Sequence, residues 1–142
     1  MSRPLFSLVS SPASTFTLTA LFSSTTTSLS ITITNVYALS DQSLTNAFVA
    51  DMMAVPPGIH EPWITLGDFN LIRAPQEKNN DRFGAPRAAI FNSQINTLAL
   101  HELALTDHRF TWTNRRDPST LARLDQAFFY ANWESSFLDS TL

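Results

Sequence analysis

Trp63-Ile64-Thr65-Leu66-Gly67-Asp68-Phe69-Asn70 is the stretch on which the reading of this chain turns. Four residues rich in apolar and β-branched side chains stand between Pro62 and Gly67, the length and bounding of a buried strand, with a loop expected to begin at Gly67. Asp68 and Asn70 then follow at the point where a rigid sheet hands side chains to a pocket. Asp68 brings a hard anionic oxygen and Asn70 an amide, the oxygen donors that suit Mg²⁺ or a water beside a phosphate. Taken alone, the same residues also make an ordinary turn.

Outward from this stretch, the pattern switches between periods of two and of about four. Toward the N-terminus, Phe16, Leu18, Ala20 and Phe22 alternate with threonines, and Leu29, Ile31 and Ile33 resume the alternation as far as Tyr37. Two neighbouring strands of this kind, separated by Ser23 to Ser28, predict a hairpin with the apolar positions on its buried face. Ser40 or Asp41 caps a helix that places Leu44, Phe48 and Met52 on one side and ends at Pro56-Pro57-Gly58. Toward the C-terminus, residues 73 to 86 read as a loop, and Pro86 opens a helix whose face runs through Phe91, Ile95, Leu98 and Glu102, widened by Ile90. That face would put His101 on the helix as well. Phe110 to Thr113 alternates as a strand, Asn114 to Ser119 is a turn, Leu124 to Tyr130 is the last strand, and Asn132 to Phe137 begins another helix. Strands and helices mixed in this way predict a single layered domain over residues 1–142, α/β or α+β.

Composition narrows the class. The chain is 44% hydrophobic, 11% aromatic and 15% charged, with net charge −3. Such mild acidity argues against a general nucleic-acid coat protein. The charge is uneven, however. Eight bases and five acids lie from Arg73 to Arg123, net +3, which leaves one base and seven acids, net −6, elsewhere. A basic segment beside acidic ligands suits a phosphate-containing partner, as it also suits a solvated surface. There is no cysteine, which excludes disulfides, thiolate metal sites and cysteine nucleophiles. No apolar run reaches the ~20 residues of a membrane-spanning helix. The Ser/Thr-rich first thirty residues have the composition of a transit peptide but read better as strands.

Two further pieces carry chemistry. Asn35-Val36-Tyr37 closes a predicted strand, so the Tyr37 phenol is a candidate phosphate donor or a packing group. Arg123-Leu124-Asp125 opens the last strand, and the period of two puts Arg123 and Asp125 on one face, either as an ion pair or with Asp125 free to orient a histidine.

In order, Asn35-Val36-Tyr37, Gly67-Asp68-Phe69-Asn70, Phe110-Thr111-Trp112 and Ala122-Arg123-Leu124-Asp125 resemble the motifs of the endonuclease/exonuclease/phosphatase (DNase I-like) superfamily. The last two most resemble the endonuclease of LINE-type (non-LTR) retroelements. The resemblance covers residues from about 15 to 133. It implies part of a four-layer sandwich, two mixed β-sheets flanked by helices, and Mg²⁺-dependent hydrolysis of a phosphodiester such as DNA. It implies that Tyr37 contacts the phosphate, that Asp68 activates or positions the attacking water with Asn70 helping to hold substrate and Asp68, and that Asp125 pairs with a histidine that itself contacts the phosphate. Asp68 and Asn70 are also the candidate Mg²⁺ ligands. Arg82, Arg87, Arg115 and Arg116 are the candidate substrate-binding bases. The resemblance also implies a strand with Asn, a strand ending in a metal-binding Glu, and a terminal Ser-Asp-His; none has a counterpart between Met1 and Leu142. His60, His101 and His108 come too early for that last role. The expectation is therefore an impaired enzyme, with three alternatives: an active phosphodiesterase, a retroelement remnant surviving as a nucleic-acid-binding module, or a relative acting on an inositol-phosphate or sphingolipid. A retroelement relationship implies the nucleus or cytoplasm.

Overall fold

The computed structural model describes residues 4–10, 13–39, 41–54, 62–103, 109–130 and 133. Eight strands are present among them: β1 (Phe6–Ser10), β2 (Thr17–Ser24), β3 (Ser30–Tyr37), β4 (Trp63–Asp68), β5 (His101–Glu102), β6 (Trp112–Thr113), β7 (Leu121–Ala122) and β8 (Asp125–Phe129). Two α-helices accompany them, α1 (Thr45–Met53) and α2 (Ala85–Thr97). Six strands form one mixed sheet in the order β1-β2-β3-β4-β8-β5, and β6-β7 forms a separate two-stranded sheet. The α/β class expected from the sequence is the one observed. Among the described strands only the β3/β4 pair is parallel, and a parallel pair needs a crossover, here made through α1.

The helices begin and end for local reasons. The Asp41 carboxylate accepts from the Ser43 amide at 2.9 Å and caps a 3-10 turn that leads into α1. Phe48 and Met52 are buried and Leu44 packs beside them, as the spacing of four predicts. Pro56 to Gly58, expected to end that helix, lie outside the described residues, as do nearly all of Asn132 to Phe137. Pro86 sits in the first turn of α2, where its missing N–H is no loss. The α2 face then buries Ala88, Phe91 and Ile95. Its end differs from expectation. Ala99 adopts φ +54°, and the amides of Ala99 and Leu100 bond back to Asn96 and Ile95 at 3.0 Å each, a Schellman cap that turns the chain out of the helix. His101 and Glu102 consequently lie on β5 rather than on the helical face, and Ile90 is 38% exposed instead of widening that face.

The hairpin β2–β3 forms, but the side packed against the helices is the reverse of the apolar reading. Thr17, Thr19, Thr32 and Thr34 are buried while Leu18 is 46% exposed. The threonines share the sheet face of Val36, Trp63 and Phe128, which the helices cover. Their hydroxyls are satisfied within that layer. Thr19 and Thr34 hydrogen-bond each other at 3.0 Å, and the Trp63 indole N–H donates to Thr34 at 3.0 Å. Alternation alone fixes that faces differ, not which face is covered.

Gly67 does not begin a loop; β4 continues through it to Asp68. A Cβ on Gly67 would stand 2.1 Å from the Val36 carbonyl oxygen, and φ is +137°, so glycine is what lets β3 and β4 stay paired here. Beyond the strand, Phe69 is fully buried and packs its ring against Phe48, Phe91 and Phe128 with centroids 5.2 to 6.2 Å away. No helix among the described residues is long and apolar enough to cross a membrane.

Candidate functional site

Asp68 ends β4, and strand register decides what stands beside it. Tyr37 is its partner on β3 and Asp125 its partner on β8. The three side chains therefore form a row across adjacent strands, at one end of the sheet and on the face away from the helices. Partners of this kind have Cβ atoms roughly 4.5–5.5 Å apart. Register thus brings Tyr37, Asp68 and Asp125 together, and Asn70 follows two residues after Asp68 with its amide on Asp68 Oδ1. Tyr37 is 66% exposed, so packing does not occupy it.

The turn after Asp68 is held firmly. Phe69 anchors it from below, and the Phe69 amide donates to the Leu124 carbonyl at 3.0 Å. The Asn70 amide donates to Asp68 Oδ1 at 2.9 Å, an Asx turn with Asn70 at φ +49°. Asn70 Nδ2 donates to the Ala38 carbonyl, which leaves the amide oxygen as the atom free to meet a ligand. Gln126, 1% exposed, donates through Nε2 to the Leu71 carbonyl at 2.7 Å and to the Arg123 carbonyl at 3.2 Å. It ties the Asn70 turn to the segment that carries Asp125. On the other side, Thr111 Oγ1 accepts from the amides of Leu124 and Asp125 at 3.0 Å each. Burial pushes the Asp68 carboxyl above its ordinary value, the Asn70 amide opposes this, and the neighbouring Asp125 charge adds to the rise.

Arg123 behaves otherwise than the period of two implied. It precedes β8, and its guanidinium turns to Glu102, with Nη2 2.9 Å from Oε1 in an ion pair without hydrogen-bond alignment. Glu102 also pairs with Arg73 at 3.0 Å, and Arg73 lies over the Phe128 ring. Asp125 has no part in this half-buried network among the described residues. His101 pairs in register with Phe129, at the far end of β8 from Asp125, and His60 and His108 lie outside the described residues.

An open groove of about 1050 Å³ runs past the row, lined by Tyr37, Asp68 and Asn70 among others. Lys78, Arg82, Arg87 and Arg116 also line it, and none of the four has a carboxylate partner among the described residues. Arg115 does not line the groove. It sits at the tip of the β6–β7 turn with φ +56° and is exposed. Among the other lining residues, Lys78 and Phe83 were not singled out from sequence, and Trp112 was noted within the Phe110-Thr111-Trp112 motif but given no place in the groove. The Lys78 charge lay inside the net-basic stretch. For Trp112 the usable signal was a large aromatic ring beside a polar, proline-containing turn.

No family model and no curated protein sequence matches the chain. Solved structures do. The endonuclease domain of TRAS1, a telomere-specific non-LTR retrotransposon, superposes with a TM-score of 0.60 at 19% identity, over 80% of this chain and 51% of that one. The human Nocturnin catalytic domain, with a bound sulfate anion, gives 0.59 at 15% identity, over 89% and 48%. Beta toxin from Staphylococcus aureus gives 0.53 at 12%, over 82% and 43%. The chain spans about half the length of the structures it matches. Its six-stranded mixed sheet, small second sheet and two helices thus have a known architecture: the chain has the DNase I-like α/β fold of these structures.

Proposed function

We propose that this chain is part of a phosphodiesterase-like domain of the LINE-type endonuclease kind, which binds a nucleic-acid phosphodiester in the basic groove and cleaves it poorly. The observation that carries the reading is the Tyr37–Asp68–Asp125 row at the edge of a groove with four cations that have no carboxylate partner among the described residues. In this reading the cations hold the phosphate backbone, and the exposed Tyr37 phenol donates to a phosphate oxygen. Asp68, with its raised affinity for a proton, accepts one from an attacking water. Asn70 presents its amide oxygen beside that water.

The donor set fits a magnesium ion only in part. Asp68 and Asn70 are hard oxygen donors, and Asp125 stands one strand away. Among the described residues, however, no three His, Cys, Asp or Glu side chains gather to hold a metal. An ion with so few carboxylates relies on the substrate phosphate for the rest of its shell; when bound, it would neutralise charge developing on the phosphate. Among the described residues no histidine stands beside Asp125; an imidazole oriented by it would add a stabilising contact typically worth about 3 kcal/mol in such sites.

The test is a nicking assay on supercoiled DNA with Mg²⁺, run beside Asp68→Ala and a binding titration at low and high salt. The expected result is salt-sensitive binding with no cleavage above background. Clear nicking that Asp68→Ala abolishes would overturn the impairment. Absence of binding at low salt would overturn the nucleic-acid reading.

A further inference from the structure

We propose that Trp112 is a base-stacking platform, so that the groove takes single-stranded or locally unpaired nucleic acid in preference to duplex. The inference rests on the nucleic-acid reading above and adds the form of the substrate. Trp112 is 44% exposed and lines the groove, whereas Trp63 is buried in the core. An indole left in water at a groove wall is an unspent stacking surface.

The ring is carried on a rigid mount. The β6–β7 hairpin is clamped to the strip at Lys78–Asn80. The Asn79 amide donates to the Leu121 carbonyl at 3.0 Å, Asn79 Oδ1 accepts from the Leu121 amide at 2.8 Å, and Asn79 Nδ2 donates to the Ser119 carbonyl at 2.9 Å. Asn80 Nδ2 adds a bond to Thr120 Oγ1 at 3.2 Å. Asn114 Oδ1 gathers the turn by accepting from the amides of Arg116 and Thr120. The hairpin is joined to the acidic row through Thr111, whose hydroxyl holds the Asp125 amide. The aromatic wall and the carboxylates are therefore fixed to one another, with little ordering left to do on binding.

The cations divide along the same line. Arg73 and Arg123 are committed to Glu102, and Arg109 donates to the Gln76 carbonyl and lies over Phe110. Lys78, Arg82, Arg87 and Arg116 line the groove with Trp112. Lys78 donates to the Arg82 carbonyl at 3.1 Å and Arg87 to Thr45 Oγ1 at 3.1 Å, and none of the four has a carboxylate partner among the described residues. A basic track with an exposed aromatic wall is the arrangement that holds unpaired strands, since backbone charge and a base π-face are met together. In a duplex the π-faces are stacked on each other and closed to the ring.

The experiment measures anisotropy of a labelled oligothymidylate and of a duplex of equal length, in EDTA at low salt, for wild type, Trp112→Ala, Trp112→Phe and Arg82→Gln. The expected result is tighter binding of the single strand. Trp112→Ala should weaken it about tenfold or more with duplex binding little changed. Trp112→Phe should keep most of the affinity, and Arg82→Gln should weaken both forms alike. The wild-type tryptophan emission should be quenched by oligothymidylate, and that quench should shrink in Trp112→Phe, which answers the question even where Trp112→Ala fails to fold. Equal binding of the two forms, or single-strand affinity indifferent to Trp112→Ala, overturns the inference and leaves the groove reading intact. No binding of either form by wild type overturns the reading beneath it.

Discussion

Gly67→Ala tests the architecture of the site at its tightest point. The new methyl would lie 2.1 Å from the Val36 carbonyl oxygen and 2.9 Å from its nitrogen. Reaching 3.0 Å, the shortest separation real Cβ atoms tolerate, requires β3 and β4 to part by at least 0.9 Å, the difference between 3.0 and 2.1. Strands pair at roughly 4.7–4.9 Å, so a shift of that size breaks the local ladder. Two lost hydrogen bonds cost about 2 kcal/mol. Holding a non-glycine residue at φ +137° adds about 1–3 kcal/mol. The neighbours cannot give way easily, because Gly67 also pairs with the buried Gln126 on β8. A loss of about 3–5 kcal/mol is expected, read as a lower urea midpoint at unchanged slope. Gly84→Ala is the control: nothing lies within 4 Å of its Cβ position, and its effect should stay within about 1 kcal/mol. A Gly67→Ala protein as stable as the Gly84→Ala one would refute the close-approach argument.

Asp68 has its folded-state carboxyl raised by burial, so the protonated form is the one the fold favours. That contribution is complete below the ordinary value of 3.8 and disappears as pH rises through the raised value. Asp68→Asn should therefore be more stable than wild type at neutral pH, by a margin that shrinks on acidification, and millimolar Mg²⁺ should narrow the gap by stabilising only wild type; thermal melts across pH would show a constant margin if the idea is wrong. Gln126→Leu removes the donor to the Leu71 carbonyl and should cost about 1–3 kcal/mol while weakening any Mg²⁺-dependent shift of the Asn70 side-chain resonances; full retention of that shift counts against a positioning role. Glu102→Ala leaves Arg73 and Arg123 without their shared partner. At their partial exposure the loss should be about 2 kcal/mol, below the figure for a fully buried pair, and Glu102→Gln should recover part of it in the same denaturation assay.

Much of this protein was legible where information is local. The apolar run before Asp68, the spacing of Leu44, Phe48 and Met52, Pro86 at the start of α2 and the polar turn from Asn114 to Ser119 each depend on neighbours within a few residues. Short-range sterics and periodicity fix such features wherever the segment ends up. The motifs from Asn35 to Asp125 likewise pointed to the fold by their order alone. Tertiary structure decided what periodicity cannot see. It put the threonine face of β2 and β3 under the helices, where the Thr19–Thr34 pair and the Trp63 indole satisfy the hydroxyls. It ended α2 at a left-handed Ala99 and so moved Glu102 into a pair with Arg73 and Arg123. It set Asp68 opposite Tyr37 and Asp125, and it turned Arg73 and Arg123 to Glu102 while Arg82, Arg87 and Arg116 came to line the groove. These outcomes depend on which distant strands pair and which surfaces helices cover, and pairing register is a property of two segments at once, written in neither one alone.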